Sequence, residues 1–171
     1  MKTNHVVVLP YNEKWKDEFE KIKAELESAL GSLIVSVEHV GSTAVEGLYA
    51  KPVIDIDVVI SGYPIFETVV EMLQRIGYMH EGDLGIKGRE AFAYEDKPHL
   101  QKHHLYVCPE NSEELRRHIV FRNFLQMNSE AAKKYGDVKR KAAELFPDNI
   151  EKYMEYKSSC IKELYAACGL E

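Results

Sequence analysis

Two apolar stretches rich in β-branched residues, separated by a short Gly-Ser-Thr segment, constrain the fold of this chain more than any other feature. They run over 34–40 and 53–60, and both have the length and composition of strands. Because side chains alternate between the faces of a strand, Asp55 and Asp57 share one face of the second stretch. Two carboxylates side by side on an apolar strand are costly unless a cation neutralises them. The pattern therefore predicts a divalent metal site on this strand.

The segment between the strands supplies groups that suit a phosphate. Gly41 lets the backbone approach a phosphate closely, and the hydroxyl and amide of Ser42 can donate to it. A helical turn that begins at Ser42 or Thr43 would add free N–H groups, and Lys51 can meet a phosphate as a point charge. Mg²⁺ (or Mn²⁺) commonly takes one or two carboxylates together with substrate phosphates. We therefore expect a metal ion and a nucleotide or other phosphorylated small molecule in one site.

Gly41-Ser42, followed after twelve residues by Asp55-Ile56-Asp57, resembles the signature of the nucleotidyltransferase superfamily. More narrowly, HVGSTAVEGLYAKPVIDIDVVI is similar to the GrpB family, also known as UPF0157. The resemblance implies an α+β fold, with a mixed or antiparallel nucleotidyltransferase-like sheet, flanking helices and a C-terminal helical extension. It also implies that Gly41 and Ser42 hold phosphate and that Asp55 and Asp57 bind metal. Further blocks that resemble the family lie at 11–26, 77–92, 103–107, 121–125 and 153–161.

The chain departs from the superfamily at the third carboxylate, which in related transferases lies on a later strand. That strand here reads His103-His104-Leu105-Tyr106-Val107 and holds no acid. His104 shares a face with Tyr106 and is a candidate base or metal ligand, because imidazole, with an unperturbed pKa of about 6.5 in model peptides, suits proton transfer at neutral pH. Imidazole is a weaker ligand for Mg²⁺ than a carboxylate. The departure weakens the case for two-metal catalysis and leaves nucleotide or phosphate binding intact.

Four further residues are candidates for the site. Arg89 lies in a Gly-rich stretch and fits a fork for a carboxylate or phosphate. Lys157 matches a YxxxK block of the family, so the resemblance implies that it reaches the cleft, and Arg122 belongs to the FRNFL block. His39 neighbours the Gly-Ser segment. The alternative for the three cations is a solvated surface position, and for His39 it is packing or a backbone hydrogen bond.

Helical periodicity and turn residues predict the remaining elements. Val6 to Leu9 predicts an edge strand stopped by Pro10. Asn12 is expected to cap a helix that ends at Gly31, and Pro64 opens a second helix. Short strands are predicted at 91–94 and 103–107. Three helices are predicted at about 112–127, 129–146 and 149–168, with capping boxes that begin at Asn111 and Asp148.

Composition limits the class of protein. At 171 residues the chain is expected to form an α+β core over 1–108 and a helical cap over 109–171 that closes one wall of the site. The net charge of −6 argues against duplex nucleic acid as a partner. Neither a run of eighteen apolar residues nor a signal-peptide core is present, so we expect a cytoplasmic protein without a membrane partner. The oligomeric state is left open.

Three functions remain open from the sequence. The first is a metal-dependent enzyme that moves a nucleotidyl or phosphoryl group from a nucleoside triphosphate to a small molecule or protein. The second is a binding module that keeps the nucleotide or anion pocket without turnover, which the missing carboxylate favours. The third is a sugar transferase that uses Asp-x-Asp, and it is disfavoured because no βαβ series precedes the motif.

Overall fold

The computed structural model describes residues 5–170, which form one mixed five-stranded sheet and five α-helices. The sheet has the order β1-β2-β5-β4-β3, with β2 and β5 parallel and the other neighbouring pairs antiparallel. The predicted α+β class is confirmed. The elements are α1 (Lys14–Leu30), β1 (Ser36–Val40), β2 (Ile54–Ile60), α2 (Phe66–Arg75), β3 (Met79–Gly82), β4 (Glu90–Ala93), β5 (His103–Pro109), α3 (Glu113–Met127), α4 (Ser129–Leu145) and α5 (Ile150–Ala167).

One face of the sheet packs on α1 and α2. Ile54, Ile56 and Val58, on the apolar side of β2, are fully buried in this core. Burial of an aliphatic side chain of this size stabilises by about 1.5–3 kcal/mol, so these positions fix which face of β2 is turned inward. The helix α1 contributes five apolar residues to this core. These are Trp15, Phe19, Ile22, Leu26 and Leu30, and all of them are buried.

The other face of the sheet carries the carboxylates of β2 and is covered in part by α3. Leu115 of α3 packs with Val59 and Cys108 in a small apolar cluster, with Ile119 beside it. In the parallel register, Asp55 pairs with His104, and Asp57 lies beside Tyr106 on β5. The carboxylates therefore lie between the sheet and the helix α3.

The helices α3, α4 and α5 also pack on the chain segment that precedes β2. Val45 and Leu48 are buried against Leu125 of α3 and Tyr135 of α4. Gly136 permits a close approach, because an added Cβ would lie 3.4 Å from Leu48 Cδ1. The helices thereby enclose the first residues of β2. Whether 1–108 and 109–171 are separate units stays a prediction, and residues 1–4 and 171 lie outside the described residues.

The predicted edge strand over Val6–Leu9 is wrong. Leu9 forms only an isolated antiparallel bridge with Ala50. The preceding residues are held by the helical part instead, because Val6 is buried against Ala142 and Tyr153 and its N–H donates to Pro147 O. This segment therefore packs against the C-terminal helices and does not extend the sheet. Among residues 5–170, no helix combines the length and apolarity needed to cross a bilayer.

Both predicted capping boxes are wrong, and the residue that caps each helix is the next one along the chain. Ser112, not Asn111, caps α3, because its extended backbone lets Oγ accept the N–H of Leu115 at 3.2 Å. Asn149, not Asp148, caps α5 by accepting the N–H of Lys152 at 3.1 Å. In each case the predicted residue belongs to the turn that precedes the helix.

The displaced cap of α3 can be tested by paired substitutions. Ser112→Ala removes the cap and the hydrogen bond that Ser112 Oγ donates to Gly88 O. We expect a loss of about 1–2 kcal/mol in the free energy of unfolding, measured by urea denaturation. The matched Asn111→Ala should change it by less than about 0.5 kcal/mol. Equal effects of the two substitutions would contradict the assigned cap.

Candidate functional site

A cavity of about 340 Å³ opens beside the first residues of β2, between the sheet and the three C-terminal helices. Eight of the residues that the sequence indicated line it together, and the buried Asp57 does not. They come from the loop after β1, from the segment that leads into β2, and from β2, β5, α3 and α5. They are Gly41, Ser42, Thr43, Lys51, Asp55, His104, Arg122 and Lys157.

Gly41 is required at this site for two reasons. Its φ of 74° lies in the region that favours glycine, and an added Cβ would collide with the carboxylate of Asp55. The loop after β1 therefore passes directly over the carboxylate that begins the Asp-x-Asp motif. A helical turn does begin at Ser42, but it ends at Ala44. Because this turn has only three residues, an anion bound here would be contacted by side chains and nearby backbone amides rather than by the N-terminus of a helix.

His39 supports this loop from below. Its Nε2 lies 2.9 Å from Thr43 Oγ1, and its ring stacks on Phe19 with 4.6 Å between centroids. Burial lowers the pKa of His39 to about 4, so the imidazole is neutral at physiological pH. His39 therefore has a structural contact with the loop and does not line the cavity.

The two carboxylates of β2 differ in exposure and in partners. Asp55 is about one-third exposed, and its Oδ1 lies 3.0 Å from His104 Nδ1. Asp57 is fully buried, and its Oδ2 lies 2.6 Å from His118 Nδ1 on α3. Burial opposes a charge on His118, but the hydrogen bond to Asp57 and the negative charge of that carboxylate outweigh it and raise the pKa of His118.

The remaining oxygen of Asp57 is a candidate metal ligand. Asp57 Oδ1 is buried and has no hydrogen-bond partner among residues 5–170. A buried carboxylate oxygen without a partner is costly, and carboxylate oxygens are the ligands that Mg²⁺ and Mn²⁺ prefer. No group of three or more His, Cys, Asp or Glu side chains in the described part of the chain is arranged to hold a metal. An ion here would complete its shell with substrate oxygens and water.

Three lysines from different segments line the same cavity. Lys139 of α4 donates to Ser42 Oγ and, at 3.1 Å, to Tyr49 O. The ammonium groups of Lys51 and Lys157 lie 4.8 and 4.6 Å from the centre of the Tyr153 ring. Within residues 5–170, none of the three pairs with a carboxylate. We call Lys51, Lys139 and Lys157 the lysine cluster.

Burial and mutual repulsion weaken the charges of the lysine cluster. Burial, together with the charge of Lys51, lowers the pKa of Lys157 to about 8. Burial and the neighbouring Lys157 hold the pKa of Lys139 well below its usual value. Asp55 partly offsets this effect at Lys51 and Lys139. Buried ammonium groups without an ion-pair partner are unfavourable, and an anion bound between them would reduce that cost.

Of the two predicted arginines, one lines the cavity and the other does not. Arg122 lines the cavity, but its Nη1 donates to His39 O at 3.0 Å and lies 3.6 Å from Glu38 Oε2, so it also holds β1. Arg89 does not line the cavity. Its guanidinium lies 4.2 Å from the centre of the Tyr106 ring. Phosphate binding by Arg89 stays a prediction.

Two residues of the site, His118 and Lys139, are not evident from motifs. Each lies on the buried side of a helix: His118 three residues after Leu115, and Lys139 three and four residues after Gly136 and Tyr135. A titratable residue that falls on the apolar stripe of a helix was the available signal. The mixture of charged and apolar residues in α3 and the many lysines of α4 obscure it.

Comparison with known proteins identifies relatives along almost the whole chain. A family model described as "GrpB protein" matches residues 5–167. The glutamate-rich protein GrpB of Alkalihalophilus pseudofirmus is 33% identical over 162 residues, which is 93% of each chain. The protein YqkA of Bacillus subtilis is 31% identical over 92% of this chain. This chain spans only 45% of YqkA.

Solved structures agree with these relatives. The crystal structure of the conserved protein GrpB from Enterococcus faecalis superposes with a TM-score of 0.82 at 34% identity, over 95% of this chain and 96% of that one. Cid1, solved with its short product ApU, superposes with a TM-score of 0.55 at 13% identity, over 79% of this chain and 42% of Cid1. The second likeness is one of fold alone.

The close contact between Gly41 and Asp55 predicts an unequal cost for two glycine substitutions. Gly41→Ala and Gly47→Ala both place a Cβ at positive φ, which costs about 1–2 kcal/mol. Only at Gly41 does the Cβ also displace a side chain, since nothing lies within 4 Å of a Cβ at Gly47. Urea denaturation should show a larger loss for Gly41→Ala. An equal loss would mean that the loop does not depend on its approach to Asp55.

The lowered pKa of Lys157 predicts how stability depends on pH. Because the folded value of about 8 lies below that of an unfolded lysine, the unfolded chain binds more protons above pH 8. The penalty is fully present below that pH. The free energy of unfolding should therefore rise with pH from about pH 8 to 10, by at most about 1.4 kcal/mol per unit. Lys157→Met should flatten this rise in urea titrations, and an unchanged slope would contradict the buried charge.

Proposed function

We propose that this chain, which belongs to the GrpB family, binds a nucleoside triphosphate or a related phosphorylated small molecule and transfers a nucleotidyl or phosphoryl group. One observation carries the proposal: a single cavity is lined both by Asp55, which shares a strand face with the buried Asp57, and by the lysine cluster. Nucleotidyl and phosphoryl transfer require charge neutralisation on oxygens and reactants held in line. The cavity lining therefore includes a carboxylate that can meet a metal ion and cations that can meet a phosphate chain.

We assign the lysine cluster to binding of the phosphate chain of the ligand. The chain as a whole carries a net charge of −6, yet the cavity wall collects Lys51, Lys139 and Lys157 without carboxylate partners in the described residues. Lys139 already donates to Ser42, so a phosphate bound over Gly41 and Ser42 would lie beside its ammonium group. Ligand binding would restore the full charge of these lysines and relieve the cost of their burial.

Asp55 and Asp57 are assigned to a divalent ion, Mg²⁺ or Mn²⁺. When bound, the ion would stabilise charge on the phosphate oxygens as a Lewis acid. His104 is assigned as a base for the acceptor. Its Nδ1 lies within hydrogen-bond distance of Asp55 Oδ1, at 3.0 Å, which favours the tautomer that carries the proton on Nδ1 and the lone pair on Nε2. The side chain is 55% exposed, so Nε2 is accessible to an acceptor. We propose a small molecule or protein as the acceptor, rather than duplex nucleic acid, and a cytoplasmic location.

The nucleotide as ligand class is supported by likeness of fold alone. Cid1 has been solved in complex with the UTP analogue UMPNPP, and it superposes on 79% of this chain at 13% identity. At that identity the likeness does not extend to substrate or activity. It does make a nucleoside triphosphate the first ligand to test in a cavity that already contains Gly41, Ser42 and the lysine cluster.

A non-catalytic nucleotide- or anion-binding module is the second candidate. It is favoured by the absence of a third carboxylate from β5, where His104 and Tyr106 share the face of Asp55 and Asp57. Both candidates require the lysine cluster for binding. They differ in turnover, and in whether Asp55 is needed for more than binding.

Ligand binding and turnover can be measured on the same variants. In thermal-shift titrations with the four nucleoside triphosphates and inorganic tripolyphosphate, ligand at about 100 times its Kd should stabilise the wild type by about 2.7 kcal/mol. Lys139→Met should weaken binding at least about tenfold with or without Mg²⁺, by loss of a partly buried charged contact. The matched Lys141→Met, on an exposed position of the same helix, should not.

Asp55→Asn separates the two candidate functions. It should abolish the Mg²⁺-dependent part of nucleotide binding while it leaves binding of tripolyphosphate in EDTA intact. Release of pyrophosphate (from nucleotidyl transfer) or of nucleoside diphosphate (from phosphoryl transfer) by the wild type, lost in Asp55→Asn, would establish an enzyme, whereas binding without release would establish the module. Absence of stabilisation by every nucleotide and by tripolyphosphate would overturn the proposal.

A further inference from the structure

We infer that Tyr153 is a positioning residue of the site: its ring holds the ammonium groups of Lys51 and Lys157 at the cavity by cation–π contact and leaves their charge to the ligand. The inference rests on the proposed function, in which the lysine cluster binds phosphate. It goes further by stating what keeps two of these lysines in place without a carboxylate, and by giving the tyrosine of the YxxxK block a role.

The position of Tyr153 carries the first step. Tyr153 and Lys157 lie four residues apart on α5, so they share a face of that helix. Lys51 reaches the same ring from the segment that leads into β2. The ammonium groups of Lys51 and Lys157 lie 4.8 and 4.6 Å from the ring centre, and a cation within about 6 Å is attracted to the face of an aromatic ring. One ring therefore contacts two of the three lysines of the cluster.

Packing fixes the ring that these lysines contact. Only 1% of Tyr153 is exposed, and it is buried with Val6 and with Ala142 of α4, while it also lines the cavity. Burial raises the pKa of the Tyr153 hydroxyl to about 12, so the side chain is neutral at physiological pH. Tyr153 therefore supplies a fixed ring and no counter-charge.

Lys97, a buried lysine outside the cavity, has a different set of partners. Its Nζ also lies over a ring, 4.6 Å from the centre of Tyr78, but it is 2.7 Å from Glu25 Oε1 as well. The lysine cluster has rings without the carboxylate: Lys139 lies 4.5 Å from the centre of the Tyr135 ring, and no member of the cluster forms an ion pair within residues 5–170. The cluster therefore lacks the one partner that an anionic ligand would replace.

An aromatic ring can hold a lysine for a ligand in a way that a carboxylate cannot. A carboxylate neutralises the ammonium group and accepts its N–H donors, whereas a ring face attracts the cation and leaves those donors available to a phosphate. Ordering a free lysine side chain on binding costs conformational entropy. A lysine that the ring already holds avoids most of that cost, so Tyr153 preorganises Lys51 and Lys157.

Tripolyphosphate binding in EDTA, measured by isothermal titration calorimetry on the full chain, tests the inference without a metal or a reaction. Tyr153→Leu keeps an apolar side chain but removes the ring, and it should weaken binding about tenfold, because two lysines lose their preorganisation. Tyr153→Phe keeps the ring and should bind within about threefold of the wild type. The matched control is Tyr156→Leu, which removes a ring that packs on Phe146 from the same helix, away from the cavity lining, and should leave the affinity unchanged.

Fluorinated phenylalanines at position 153 separate the attraction of the ring for cations from its shape. Fluorine withdraws electron density from the ring face and changes the size of the ring little. Binding of tripolyphosphate should therefore weaken stepwise from phenylalanine to the difluoro and trifluoro rings, by about threefold in all. A role of Tyr153 in packing alone predicts equal binding along this series. Circular dichroism checks that each variant folds.

The outcomes separate the inference from the proposed function. If the wild type binds tripolyphosphate and Tyr153→Leu binds it equally well, or if affinity does not change along the fluorinated series, the inference is wrong while the proposed function stands. A loss in Tyr156→Leu as large as that in Tyr153→Leu would also overturn the inference, because packing of α5 would then explain both. Absence of binding of tripolyphosphate and of every nucleotide by the wild type would overturn the proposed function as well. If Tyr153→Leu does not fold, the fluorinated series decides.

Discussion

The hydrogen bond between the buried carboxylate of Asp57 and His118 connects the sheet to the helix α3. A carboxylate without exposed surface on the second strand of a sheet is tolerated only if a partner compensates its lost hydration. That partner comes from α3, across the face of the sheet that α1 and α2 do not cover. The position of α3 is therefore fixed by charge as well as by the apolar packing of Leu115. The helices α4 and α5, which follow α3 in the chain, contribute further residues that line the cavity with Asp55.

The site contains two kinds of polar groups that lack partners among the described residues. The buried Oδ1 of Asp57 has no hydrogen-bond partner, and the lysine cluster makes no ion pair with a carboxylate. Each is unfavourable alone, and under the proposed function a metal ion with a phosphate chain would satisfy both. Asp55 and the three lysines line one open cavity of about 340 Å³, which favours a ligand in contact with them.

The sequence predicts the parts of the site that depend on local pattern. The period-two pattern of β2 predicts the shared face of Asp55 and Asp57, and the loop that begins at Gly41 follows from glycine conformation. It does not predict His118 or Lys139, because these residues reach Asp57 and Ser42 from 61 and 97 positions away, through tertiary packing alone. The errors at Asn111 and Asp148 have a local cause, since adjacent polar residues compete for a cap and the preceding turn decides between them.

A crystal structure with a non-hydrolysable nucleoside triphosphate and Mg²⁺ tests the central claim most directly. The account predicts phosphate density over Gly41 and Ser42, with its oxygens in contact with Lys139 and Lys157, and a divalent ion between these oxygens and the carboxylates of Asp55 and Asp57. Nucleotide bound outside this cavity, or within it with its phosphates turned away from the lysine cluster, would contradict the account.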